Sequence, residues 1–64
     1  MTMHDAQKMI GKYCRIHFHD AMGVEKIESM IIEDLQSVPN YGNYFIGDTK
    51  DIKLDEIVSI RVID

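Results

Sequence analysis

Of the 64 residues only one is a cysteine and one a proline, and tryptophan is absent. The single thiol, Cys14, cannot close an intrachain disulfide, so the chain lacks the staple of small secreted domains and fits a reducing cytoplasm. Long apolar runs are missing too. None exceeds three residues (30–32 and 44–46), too short for a spanning helix or a leader-peptide core. Basic residues are scarce, 7 Lys and Arg against 11 Asp and Glu for a net charge of −4, the reverse of the field that drives non-specific nucleic-acid binding. A chain of this size hides only about 60% of the surface its unfolded form exposes, which leaves little volume for a deep walled cleft. No phosphate-cradling glycine-rich loop is present, and no carboxylate pair is set apart by its surroundings. The expectation is a soluble, cytoplasmic, single-domain protein over residues 1–64, not an enzyme, with no cofactor, no metal and no membrane segment.

What is present favours strands. Ten isoleucines and four valines stand against two leucines and two alanines, and β-branched side chains suit a pleated surface better than a helix. The opening residues Thr2, Met3, His4 and Asp5 match a capping box, a hydroxyl followed three residues later by a carboxylate. A short helix is therefore predicted over 2–10, with Met3, Ala6, Met9 and Ile10 at helical spacing and Gly11 as its left-handed stop. From Lys12 to His19 the pattern alternates. Cys14, Ile16 and Phe18 share one face of the predicted strand, and Tyr13, Arg15, His17 and His19 share the other.

Residues 20–23 predict a turn, and 24–38 are ambiguous. Val24, Ile27, Met30, Ile31, Leu35 and Val38 suit an amphipathic helix, whereas a strand reading puts Ile27, Ser29 and Ile31 on one face with a bulge or bend near Glu33 and Asp34. Pro39, Asn40, Tyr41, Gly42 and Asn43 predict a loop. Strands are expected at 44–47, 52–54 and 57–63, with turns at 48–51 and 55–56; in the last strand Val58, Ile60 and Val62 share one face, and Ile57, Ser59, Arg61 and Ile63 share the other.

The order of a short helix and several strands, ending in Leu54, Asp55, Glu56, Ile57 as an acidic single-turn connection between the last two strands, resembles small Sm-like and Src-homology-type barrels, including bacterial Rof and YolD-like proteins. The resemblance is carried mainly by the last third of the chain. Ser29 stands nearest to where such barrels place a glycine at the bend of the second strand. The resemblance implies a helix over 2–10 and a five-stranded barrel over 12–63, acting as a binding module that contacts RNA or protein and in some cases assembles into homo-oligomers. The alternative is a compact α+β fold, with a second helix at 24–37 on a four-stranded antiparallel sheet.

Four constellations carry possible chemistry. His17 and His19 fall on one strand face but supply two ligands where a structural zinc ion takes about four, so a solvated face is the expectation. Cys14 and His17 are separated by strand alternation, and Cys14 reads as a small buried hydrophobe. Glu25, Glu28, Glu33 and Asp34, with Lys26 the one base among residues 25–34, put a net charge of −3 in one segment. They are the protein-docking candidates, suited to a basic patch on a larger protein or nucleoprotein. Tyr13, Arg15, His17, His19, Asn40, Tyr41 and Asn43 are the nucleic-acid candidates, since rings and amides can hold unpaired bases. The leading expectation is an adaptor or inhibitor that regulates a larger protein. The alternative is a small RNA- or nucleotide-binding barrel.

Overall fold

The computed structural model describes residues 1–63. Among them α1 (Met3–Gln7) is followed by five strands: β1 (Tyr13–His19), β2 (Glu25–Val38), β3 (Gly42–Gly47), β4 (Asp51–Lys53) and β5 (Ile57–Val62). A 3-10 turn, Leu54–Glu56, joins the last two. All pairings are antiparallel, in the order β4-β3-β2-β1-β5. The mainly-β expectation holds. The edge strands β4 and β5 do not pair with each other, so the sheet is open among the described residues.

Strand alternation on β1 buries Cys14, Ile16 and Phe18 and turns Tyr13, Arg15, His17 and His19 outward. The β1–β2 turn is tight because the Asp20 carboxylate accepts the N–H groups of Met22 and Val24 at 2.9 and 3.0 Å, while Gly23 takes φ +80°. β2 serves two ladders. Its first half pairs with β1 from Glu25 to Ile31, and its second half pairs with β3 from Ile32 to Val38. The exchange is held by backbone bonds: Gly11 N–H to the Ile32 carbonyl (2.6 Å), Ile32 N–H to the Lys12 carbonyl (3.0 Å), and Asp48 N–H to the Ile31 carbonyl (3.1 Å).

This segment overturns the helix alternative at 24–37. Met30 and Ile32 point inward at strand spacing, a register shift between Ile32 and Asp34 inserts one residue, and Leu35 is the next to pack on the core. A spacing of two followed by three imitates helical periodicity. The irregularity falls near Glu33 and Asp34, as the strand reading expected, and the change of partner comes at 31–32, beyond Ser29. Because β2 is shared, both ladders contribute to one core of Ala6, Cys14, Ile16, Phe18, Met30, Ile32, Phe45 and Ile52. Full burial of each large member contributes about 1.5–3 kcal/mol.

Three other details differ from expectation. The helix ends at Gln7, after which hydrogen-bonded turns reach Lys12. Thr2 does cap it, accepting the Asp5 N–H at 3.1 Å, and Gly11 has φ +85°. The 39–43 loop shrinks to a hairpin turn, with Asn40 at φ +71° and Gly42 at φ +111° letting the strands run to Val38 and from Gly42. On β5 a register shift pairs His17 with Ser59 and Phe18 with Ile57, so Val58 has no opposite residue and is 54% exposed, apart from Ile57 and Ile60 on the core.

Candidate functional site

The outward face of β1 lies between β2 and β5, and its cross-strand pairs define a surface. Tyr13 stands opposite Ile31, Arg15 opposite Ser29, His17 opposite Ile27 and His19 opposite Glu25. On the other flank Arg15 stands opposite Arg61 and His17 opposite Ser59. Paired residues of an antiparallel sheet project to the same side, so two guanidinium-bearing residues, two imidazoles, three hydroxyls and the Glu25 carboxylate share one face. A hollow of about 470 Å³ forms there, lined by Arg15, His17, Ile27, Ser59, Ile60 and Arg61. Ile27 is 65% exposed and Ile31 43%. Among the described residues, Arg15 and Arg61 make no ion pair.

The acidic candidates are placed differently. Glu25 is on this same face, but its two carboxylate oxygens already face His17 Nε2 at 3.8 Å and His19 Nε2 at 3.3 Å. Glu28 stands opposite Ile16, on the core side of β2, and reaches Lys50 Nζ at 2.9 Å. The Lys50 ammonium also lies 5.7 Å from the centre of the Phe18 ring, a cation–π distance. Glu33 is exposed at the register shift. Asp34 bonds locally, accepting the Leu35 N–H at 2.8 Å. Alternation therefore divides the four acids between faces, and two of them already have cationic or imidazole partners.

The hairpin candidates separate from the β1 group. Tyr41 joins Gln36, Val38, Tyr44, Ile46 and Asp51 around a second hollow of about 190 Å³. Asn40 occupies the positive-φ turn position, and the Asn43 Oδ1 accepts the Ser37 hydroxyl at 2.6 Å. Tyr13, Arg15, His17 and His19 are thus together, while Asn40, Tyr41 and Asn43 belong to the other ladder. Sequence reasoning left out Arg61, Ser59 and Ile27. Arg61 and Ser59 did share a predicted strand face, but that the last strand lies beside the first is a tertiary fact.

Cys14 is fully buried, and desolvation raises its thiol pKa, with Lys12 acting in the opposite direction. Deprotonation there is disfavoured, which suits packing and not nucleophilic attack. The Asp20 carboxyl is held below its ordinary value, first by the Val24 N–H, with Lys26 at 3.2 Å and the Met22 N–H adding to the effect. Among the described residues no three His, Cys, Asp or Glu side chains are grouped to hold a metal ion, and no helix is long and apolar enough to cross a membrane. No family model, curated protein or solved structure matches the chain.

Proposed function

We propose that this chain is a cytoplasmic, non-enzymatic binding module of the small-barrel type, which regulates a larger protein by docking through the outer face of β1, β2 and β5. The strand order, with β2 shared between two ladders over one core and its register shifted between Ile32 and Asp34, supports the Sm-like or Src-homology-type architecture. The observation that carries the docking reading is the Arg15–Arg61 pair, which makes no ion pair among the described residues and is set beside exposed Ile27 and Ile31. Apolar surface with cationic side chains beside it suits a protein partner that presents an anionic group next to apolar ones. The overall charge of −4 and the rim carboxylate of Glu25 disfavour a long polyanion on the same face.

The test is a photo-crosslinking amino acid at Ile27, with Val38 on the other ladder as control, in the cells that make the protein. A defined protein partner captured from position 27 and not from 38, and lost in Arg15→Glu, is the expected result. Equal capture at both positions refutes the docking face.

The two-tyrosine hollow favours a second reading, in which Tyr41 and Tyr44 stack on unpaired RNA bases. That reading requires RNA affinity that falls steeply as salt rises and is lost in Tyr41→Ala; absence of binding at low salt removes it.

A further inference from the structure

The hollow on the outer face gathers hydrogen-bond donors around two positive charges. Arg15 and Arg61 face each other across β1 and β5, Ser29 adjoins Arg15 from β2, and His17 with Ser59 forms the next pair along. Like charges directly opposite in a sheet repel, and an anion between them converts that repulsion into two attractions. Glu25, a carboxylate on this face, stands opposite His19 at the far end of the row and is engaged by the two imidazoles.

We propose that this hollow binds a phosphomonoester, carried as a phosphorylated side chain by an extended segment of the protein partner. The inference rests on the docking face proposed above. Charge selects the ligand class. Two guanidiniums are matched by a dianion, which a phosphomonoester approaches near neutral pH at about −1.5 to −2 charge. A carboxylate or a phosphodiester brings a single negative charge and leaves one arginine uncompensated. Donor count agrees, because planar guanidiniums bind phosphate oxygens in forked pairs and Ser59, which lines the hollow, carries a further hydroxyl donor.

The shape of the face selects the bearer. The hollow lies open on a sheet surface with Tyr13, Ile27 and Ile31 exposed along the strands beside it. A free small molecule would keep much of its surface in water there, whereas bound small ligands are mostly enclosed. A peptide segment instead sets one side chain into the hollow and lays its neighbours over the isoleucines.

The first measurement is backbone and arginine side-chain NMR of the intact chain titrated with O-phosphoserine, dimethyl phosphate and acetate. Saturable shifts at Arg15, Arg61, Ser29 and Ser59 with O-phosphoserine are expected, with the two monoanions weaker by about tenfold or more. Arg15→Gln and Arg61→Gln should each weaken O-phosphoserine by about tenfold while leaving the far-ultraviolet circular dichroism spectrum folded. Equal response to monoester and diester, or shifts that survive in the double variant, overturns the proposal.

The second measurement uses an array of phosphoserine, phosphothreonine and phosphotyrosine peptides beside their unphosphorylated twins. Retention confined to phosphorylated members and lost in Arg15→Gln is expected; no difference between twins overturns the protein-borne ligand, even where O-phosphoserine binds. Phosphatase treatment before crosslinking at position 27 separates the two readings. Capture that survives phosphatase leaves the docking face standing and removes the phosphate, whereas no capture with or without phosphatase removes the docking face itself.

Discussion

Replacing Arg61 by glutamine should make the protein more stable, not less. Arg61 stands opposite Arg15 on the neighbouring strand, and among the described residues neither has an ion-pair partner. A directly opposed like-charged pair costs about 0.2–1 kcal/mol relative to neutral residues. For a domain of 64 residues, with total stability on the order of 3–10 kcal/mol at the usual per-residue values, the gain is measurable. It corresponds to a rise in melting temperature of roughly 1–8 °C.

The charge-reversed variant Arg61→Glu should rise further, since it places an acid opposite Arg15. The effect is electrostatic and on the surface, so it must shrink as salt screens it. The Debye length falls from about 10 Å at 0.1 M to about 3 Å at 1 M. Urea titrations of wild type, Arg61→Gln, Arg61→Glu and Arg15→Gln at both salt concentrations, completed by the Arg15→Gln/Arg61→Gln double variant, provide the assay. The two single glutamine substitutions should not add, because the first already removes the repulsion. Destabilisation by Arg61→Gln, or a gain that salt leaves unchanged, would refute the idea that this pair stores repulsion for an anionic ligand.

Gly47→Ala tests the close approach at the sheet exchange. A Cβ there would overlap the buried Met30 Sδ and come within 2.9 Å of the Lys50 carbonyl, so a loss of about 1–3 kcal/mol is expected, read by urea midpoint, and the same substitution should cost less on a Met30→Ala background than in the wild type. Asp20 supplies an acid-dependent contribution. Its carboxyl is held below the ordinary 3.8, first by the Val24 N–H; a depressed folded value means the stabilisation is complete above about pH 5 and is lost as pH falls through and below 3.8. Asp20→Asn should flatten that part of the stability–pH curve; an unchanged acid limb counts against it. Cys14, buried with a raised pKa, should resist alkylation by iodoacetamide at pH 7.5 until urea unfolds the chain. Fast labelling in the native state would contradict its burial.

Much of the β architecture can be read from the residues one strand at a time. The 14, 16, 18 alternation, the Asp20–Gly23 turn and the helix cap at Thr2 are local matters of side-chain direction, turn dihedrals and orphan amides, and each appears where those rules put it. Residues 24–38 resisted because a bulge within a shared strand produces mixed intervals that periodicity cannot separate from a helix. Val58 was misplaced for the same reason, since a register shift depends on what stands opposite.

The candidate surface divides along the same line. Tyr13, Arg15, His17 and His19 share a face by strand geometry alone, and the negative charge of residues 25–34 is a matter of composition. That Glu25 lies against both histidines required the register of the β1–β2 hairpin, that Glu28 meets Lys50 required the β3–β4 turn to fold back on β2, and that Arg61 arrives opposite Arg15 required the first strand to sit between the second and the last. Local chemistry dictated which residues form strands and which way each side chain points, because those depend on near neighbours and a period of two. Tertiary structure alone decided which charges are neutralised and which are left together, because those contacts join residues up to about 46 positions apart, and no local periodicity encodes them.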